Sequence, residues 1–214
     1  VLLMINNSTA QQNPGALIYN FPFVIADELL TEMSIQSKDH KIINIASSEE
    51  MPEDLSDSIL ALTEAKFAEH LKTKVVSLRP KKGLITGGLS NLEYMPAARF
   101  KKAAKSGDYD YFINIDCNIT AEGTTYIDFG VSAKRSKVKP KIRLSAVIYD
   151  PLKNKIWSNK VVLHDFAKLR QVRKEEEKGW RYKHKHTYDI TESETLTAED
   201  IFSMYVLAIV KLFE

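Results

Sequence analysis

The segment Tyr111-Phe112-Ile113-Asn114-Ile115-Asp116-Cys117-Asn118-Ile119-Thr120 decides the fold class of this chain. From residue 113 to residue 119 every second residue is an isoleucine or the cysteine, and the residues between them are polar. A period of two is typical of a β-strand with one buried face and one solvated face. The segment therefore predicts a half-buried strand in a sheet whose apolar face needs a covering layer.

The same alternation repeats downstream and predicts consecutive antiparallel hairpins. A turn is expected at Gly123, and further strands are expected over 127–133, 142–148 and 156–163, the last of them after a turn at 150–154. Strands that are joined by short turns pair in chain order. Residues 109–163 thus predict an antiparallel meander. The following segment, 166–195, lacks this period, and we expect an insertion or a long hairpin excursion there.

Helical and strand patterns alternate before the meander. Asn20 with Phe21-Pro22 is typical of a helix start, and Ile25, Leu29 and Met33 then recur every four residues. Strands are expected at 1–5, 40–46 and 75–78, and helices from Pro52 to Leu71 and over 96–106. Residues 1–12 also fit the end of a secretory signal, but the apolar run is too short, and we favour the strand.

The last residues predict a strongly apolar helix. Thr197 with Asp200 three positions later is an acidic variant of the capping box, and Ile201, Tyr205, Ala208 and Leu212 share one side of the helix. Phe202, Val206, Ile209 and Phe213 line the adjacent side, so we expect deep packing or a partner. Altogether the chain predicts a single α/β (α+β) domain over 1–214, with a mixed sheet, a C-terminal antiparallel meander and helices packed on it.

Composition limits the class of protein. The chain has 214 residues, of which 44% are hydrophobic and 27% charged, with only eight Gly and seven Pro. These values exclude collagen-like, linker-rich and disordered classes. No apolar run reaches the roughly 18 residues of a membrane-spanning helix. A single cysteine excludes an intramolecular disulfide bond, and no Cys/His spacing predicts a structural zinc site.

The net charge of +2 hides a basic middle section. Residues 121–180 carry fourteen basic and seven acidic side chains, and six cations fall within ten residues: Lys134, Arg135, Lys137, Lys139, Lys141 and Arg143. Such a cluster can bind phospholipid head groups, cell-wall polymer or nucleic acid. The alternative is a solvated hairpin tip whose charges deter edge-to-edge aggregation. We take these six residues, with Trp180 and Tyr182 as stacking candidates, as the predicted anion- or partner-binding site.

The order of elements resembles a bacterial envelope superfamily. The residues that carry the resemblance are Asp108-Tyr109-Asp110-Tyr111-Phe112-Ile113, the run 142–150, Lys155-Ile156-Trp157-Ser158 and the closing helix. The superfamily includes the amino-terminal domain of TolB, the curli secretion lipoprotein CsgG and the lipoprotein activators of penicillin-binding proteins. The resemblance implies a TolB-like fold in an exported module, in the periplasm or at the outer membrane. It implies no active-site residues.

No catalytic or metal-binding set is complete. The loop 83–90 has the glycine spacing of a phosphate-binding loop, but Leu89 stands where the lysine is needed. Ser136 and Lys139 have the spacing of a nucleophile and base without the companion motifs. Weaker candidates are a metal site at His184 and His186 with Asp189 or His164, an acid pair of Asp116 and Asp128, and a buried thiol at Cys117.

From these observations we expect a non-catalytic interaction or assembly module of the cell envelope, without cofactor or metal. The expected partner is an envelope protein or a second copy of the chain, rather than nucleic acid. The chain does not begin with Met, so we expect that an upstream segment was removed, and a signal peptide or lipid anchor there stays open. The alternative is a binder of anionic polymer, and a cytoplasmic location is not excluded. A hydrolase that uses Asp116, Asp128 and His164 is the third hypothesis.

Overall fold

A computed structural model describes residues 15–26, 29, 31–36, 42–46, 55–78, 95–128, 133–176, 187–193 and 196–214. Among them the chain forms ten strands and three helices. In chain order these are β1 Ala16–Asn20, β2 Phe23–Ile25, β3 Thr31–Gln36, β4 Ile42–Ala46, α1 Leu55–Leu71, β5 Val75–Ser77, α2 Phe100–Ala103, β6 Tyr111–Asp128, β7 Ala133–Tyr149, β8 Lys155–Leu163, β9 Leu169–Glu176, β10 Thr187–Ser193 and α3 Ala198–Leu212. The predicted strand at 1–5 lies outside the described residues.

A mixed sheet organises the fold, which is α/β as predicted. Its strand order is β10-β9-β7-β6-β1-β5, and β2 and β8 add to β6 and β7. β1, β2 and β5 are parallel to their neighbours, whereas β6, β7 and β8 form an antiparallel meander. β9 pairs with the first half of β7, and β10 pairs antiparallel with β9. β3 and β4 form a separate ribbon, and β3 lies beside β10.

The meander confirms the period-two prediction, with one correction. The turn predicted at Gly123 is wrong, because β6 continues to Asp128. The register between β6 and β7 shifts between Glu122 and Thr125, which marks a β-bulge at Gly123. A glycine inside a strand pattern suits a bulge as well as a turn. Consequently three long strands replace the four that we predicted.

The helix predicted after Asn20 is also wrong. Asn20 ends β1, Phe23–Ile25 form β2 and Thr31–Gln36 form β3, so no continuous helix runs through the described residues of this region. Phe23 and Ile25 are buried while Val24 between them is exposed, which is strand alternation. Ile25 ends β2, Leu29 is helical and Met33 lies on β3, so the three residues that recur every four positions do not share one helix.

The other helices agree with the sequence to different degrees. α1 confirms the helix expected up to Leu71, although Pro52 lies outside the described residues. Of the helix predicted over 96–106, only Phe100–Ala103 forms, because residues 96–98 run against β1. There the amide of Phe21 donates to the carbonyl of Pro96, and the amide of Ala98 donates to that of Tyr19. The strands predicted at 40–46 and 75–78 are confirmed over Ile42–Ala46 and Val75–Ser77.

The capping box of α3 is confirmed atom by atom. The amide of Asp200 donates to Thr197 Oγ1 at 3.1 Å, and the amide of Thr197 donates to Asp200 Oδ2 at 3.0 Å. These two bonds satisfy donors that a helix start otherwise leaves free. The cap fixes where α3 begins, so its apolar side is aligned with the sheet.

Helices α1 and α3 pack together on one face of the sheet. The buried side chains there come from both helices and from the inward positions of the strands: Ile59, Leu60, Phe67, Ile113, Ile115, Cys117, Ile119, Ile142, Leu144, Ala146, Ile148, Ile201, Tyr205, Ala208 and Leu212. A smaller cluster of Leu17, Tyr19, Ala103 and Phe112 lies under α2 on the opposite face. None of the helices formed by the described residues is long and apolar enough to cross a lipid bilayer.

Candidate functional site

The outer face of the meander carries the candidate site. α1 and α3 cover the other face, and α2 covers only the end of the sheet near Phe112. Polar side chains alternate with the buried ones along β6 from Asn114 to Thr120 and along β7 from Lys139 to Ser145, and β8 contributes Lys160. We call the following positions the outer face: Asn114, Asp116, Asn118, Thr120, Glu122, Lys139, Lys141, Arg143, Ser145 and Lys160.

The six cations predicted as a binding site all lie on β7, so their placement at a hairpin tip is corrected. The backbones of Lys134, Arg135 and Lys137 lie between β6 and β9, opposite Asp128, Ile127 and Thr125 on β6 and Arg173, Val172 and Arg170 on β9. Lys139, Lys141 and Arg143 belong to the outer face, opposite Glu122, Thr120 and Asn118. The basic stretch is therefore an interior strand of the sheet. Trp180 and Tyr182 lie outside the described residues.

Glu122 on β6 contacts both β7 and the residue that directly follows β8. Lys141 Nζ donates to Glu122 Oε1 at 2.7 Å, and His164 Nδ1 lies 2.7 Å from Glu122 Oε2. The hydrogen bond from Lys141, followed by that from His164, holds the pKa of the Glu122 carboxyl below its ordinary value. Lys139 forms a looser pair with Asp165, at 3.7 Å between Nζ and Oδ1.

Arg143 and Lys160 differ from these paired lysines. Both side chains are exposed, and among the described residues no carboxylate lies within ion-pairing distance of either one. Arg143 is opposite Val162 on β8, and Lys160 is opposite Ser145 on β7, so the two cations are diagonal neighbours on one face. Diagonal positions on adjacent strands are about 7 Å apart. The pair therefore presents two positive charges to one partner group.

Amide side chains extend the polar surface along β6 towards β1. Asn20 Nδ2 donates to Asn114 Oδ1 at 2.8 Å, and Asn118 Nδ2 donates to Asp116 Oδ1. These groups are half-buried rather than fully solvated. Each of these amide side chains has further donors or acceptors that these hydrogen bonds do not use. The outer face thus offers amides and carboxylates beside its cations, which is a mixed polar surface.

The residues of the hydrolase hypothesis do not come together. Asp116 and Asp128 lie twelve positions apart on β6, a separation of roughly 40 Å at the rise of a β-strand. His164 contacts Glu122 instead of either aspartate. Ser136 and Lys139 lie on one extended strand rather than at a helix start, with their Cα atoms about 10 Å apart. Geometry therefore does not support the acid pair or the serine–lysine pair.

Cys117 is placed as the sequence predicts, on the apolar side of β6. Its side chain has no exposed surface, and burial, followed by the charge of Asp116, raises the pKa of the thiol well above its ordinary value. A thiol that stays protonated and inaccessible is a poor nucleophile. Cys117 contributes packing to the core.

The metal and phosphate hypotheses fall largely outside the described residues, since His184, His186 and the loop 83–90 are not among them. Asp189 lies on β10 opposite Lys174, and His164 lies beside Glu122. In the part of the chain that the structure describes, no three His, Cys, Asp or Glu side chains are grouped as metal ligands.

Sequence reasoning missed two residues of the outer face, Glu122 and Lys160, and also Asp165, which follows β8 and pairs with Lys139. Glu122 was overlooked because a turn at Gly123 placed it at a strand end. Its pairing with Lys141 follows only from the register of a longer β6, which places residues 120 and 122 opposite 141 and 139. The alternation of polar residues through Thr120 and Glu122 was the available signal.

Comparison with known proteins adds little to this geometry. No protein family model matches the chain, and no curated protein matches it. Among solved structures, a neuraminyllactose-binding hemagglutinin homologue from Helicobacter pylori is 13% identical, with a TM-score of 0.35, over 94% of this chain and 83% of that one. A likeness at this level supports no statement about the activity of this chain.

Proposed function

We propose that this protein is a non-catalytic interaction module that binds a protein partner through the outer face of its meander. The observation that carries the proposal is the mixed charge of that face. Lys139 and Lys141 are paired with Asp165 and Glu122, while Arg143 and Lys160 are exposed next to half-buried amides. The rim of a protein interface is polar, and complementary charges across it set partner choice and register.

The cell envelope is the compartment we propose, either the periplasm or the outer membrane. The support is the resemblance of residues 108–163 and 197–213 to exported envelope modules, together with the mixed sheet. A signal peptide or lipid anchor encoded upstream of Val1 belongs to the same proposal. Determining the start of the gene and the fractionation of the full-length protein tests it. A protein that stays in the cytoplasmic fraction would contradict the envelope location.

Site-specific photocrosslinking tests the partner proposal. A photoreactive residue at position 143 probes the outer face, and one at position 65 on the exposed side of α1 is the matched control. We expect one exported protein to crosslink from position 143 and not from position 65. We also expect the crosslink to be lost in a variant that carries Lys160→Glu on the same face. Equal crosslinking from both positions would contradict the proposal.

Binding of an anionic polymer is the second candidate function, favoured by the adjacent charges of Arg143 and Lys160. A fluorescent single-stranded oligonucleotide and a sulfated polysaccharide are suitable probes. Polyanion binding weakens steeply between about 50 and 200 mM salt because counterions are released. A steep salt dependence that is abolished by Arg143→Gln would favour this candidate, whereas absence of binding at low salt would exclude it.

A further inference from the structure

The sheet is interrupted at one level by irregularities in every strand that crosses it. On β6 the register shifts between Glu122 and Thr125. On β7 the same level holds Pro140, opposite Ala121. On the other side of β7, β8 ends opposite Ile142 and β9 begins opposite Val138. We call this level the waist: residues 122–125, 139–141 and the connector 164–168.

The backbone ladder is weak at the waist, because β6 carries a bulge there and β7 has no described partner strand on its other side. A β-bulge leaves a residue unpaired and disrupts the ladder locally. Proline has no amide hydrogen, so it is found in sheets where a neighbouring strand is missing. That condition is met here, because the connector 164–168 is not a strand and separates β8 from β9. Among the described strands of this sheet, β6 and β7 alone run through the waist.

Three side-chain pairs cross-brace the same level. Glu122 holds Lys141 on β7 and His164 at the start of the connector, each at 2.7 Å. Lys139 holds Asp165, the next residue of the connector, at 3.7 Å. All five side chains are at least partly exposed, so their attraction is screened by salt.

From this coincidence we infer that the waist is a hinge, which lets the distal half of the sheet, with β9 and β10, tilt against the helix-covered half, and that the ion pairs around Glu122 lock it. The two halves are unequal. The first is held by α1 and α3. The distal half is joined to it through β6, β7 and the connector, and the chain also leads from β2 into β3, which lies beside β10, and from β10 into α3. A weak, exposed lock suits a hinge that opens under modest changes of ionic strength or on partner binding.

Electron–electron distance measurement between two spin labels tests the hinge. Labels at Ser158→Cys on β8 and Ser193→Cys on β10 span the waist, and Cys117 stays unlabelled because it is fully buried. The register places the two positions eleven residues apart along β7, roughly 35 Å at the rise of a strand. At low salt we expect one narrow distance distribution.

Glu122→Gln removes the charge at the centre of the lock, and Lys139→Gln removes the second pair. We expect Glu122→Gln to broaden the distribution at least twofold and Lys139→Gln to broaden it less. Raising the salt to 1 M should broaden the distribution of the unmodified lock in the same way. The matched control is Glu69→Gln, which breaks the exposed Lys66–Glu69 pair on α1 and leaves the waist untouched.

A distribution that is unchanged in Glu122→Gln and in 1 M salt overturns the hinge, as does equal broadening in Glu69→Gln. Circular dichroism shows whether Glu122→Gln keeps its sheet. If that variant does not fold, the salt series on the otherwise unmodified chain decides between a hinge and a rigid sheet.

Discussion

Tyr205 on α3 donates its phenolic hydrogen to Thr63 on α1 across 2.6 Å, inside the core. The direction of this bond follows from a second one, in which the Thr63 hydroxyl donates its single hydrogen to the carbonyl of Ile59 at 2.6 Å. Neither side chain has exposed surface. The bond therefore couples the two helices that cover the sheet, at a point where no water replaces it.

Replacing the two partners in turn should have unequal effects. Tyr205→Phe removes the donor but leaves Thr63 bonded to Ile59, so we expect a loss of about 1 kcal/mol in the free energy of unfolding. Thr63→Val leaves the buried phenol without an acceptor, and we expect a loss of about 2–3 kcal/mol. Urea denaturation measures both. The double variant should lose less than the sum, and strict additivity would show that the bond contributes nothing.

The free energy of unfolding should fall at alkaline pH, beginning near pH 9. Burial raises the pKa of the Cys117 thiol and of the Tyr205 phenol well above their ordinary values of 9.0 and 10.0. The unfolded chain releases these protons at the ordinary values, whereas the folded chain retains them. Unfolding therefore releases protons, and stability decreases as pH rises, by about 1.4 kcal/mol per pH unit for each group.

Cys117→Ala separates the two contributions. In this variant the decrease should begin nearer pH 10, where the tyrosine remains as the main contributor of the pair. Denaturant titrations from pH 8 to pH 11 give the slopes. An onset that stays at pH 9 without the thiol would contradict the assignment to Cys117.

The turn between β7 and β8 contains Lys153 in the left-handed region, with φ of 68°. A side chain with a β-carbon is strained there by about 1 kcal/mol, and glycine is not. We predict that Lys153→Gly is more stable than Lys153→Ala by about 1 kcal/mol. Both variants lose the ammonium group, which lies 5.8 Å from the Phe100 ring centre, so their comparison isolates the backbone. Equal melting temperatures would contradict the prediction.

Local signals predicted the parts of the fold that depend on local physics. Thr197 and Asp200 identify the start of α3 because the capping box closes within four residues. The alternation from Ile113 to Ile119 identifies β6 because the period of two belongs to one strand. Leu55–Leu71 follows from apolar residues that only a helix brings together.

Tertiary contacts decided the features that local sequence patterns left ambiguous. The recurrence of Ile25, Leu29 and Met33 predicts a helix, but pairing with β6 places Ile25 in a strand and pairing with β4 places Met33 in another. Gly123 is compatible with a turn and with a β-bulge. Which of the two forms determines how every residue of β6 is paired with β7. The pairing of the candidate-site cations also depended on tertiary contacts. Lys139, Lys141 and Arg143 were identified as cations, but their carboxylate partners depend on register and on the path of the connector.

Asn159 on β8 has two separable roles that one pair of variants distinguishes. Its Nδ2 donates to the carbonyl of Leu212 at the end of α3, at 2.6 Å, and its Oδ1 accepts the amide of Lys160, at 2.8 Å. The first bond anchors the helix to the strand. The second satisfies an amide on the edge of β8, where no further strand pairs within the described part of the chain, and such edges promote intermolecular pairing.

Asn159→Ala removes both bonds, whereas Asn159→Asp keeps an acceptor for Lys160 but loses the donor to Leu212. The new carboxylate also lies near the negative end of the α3 dipole. We therefore expect both variants to lose about 1–2 kcal/mol in the free energy of unfolding. Only Asn159→Ala should show faster aggregation by light scattering at matched fractions of folded protein, because only that variant frees the edge amide. Equal aggregation of the two variants would mean that the amide of Lys160 does not limit pairing at this edge.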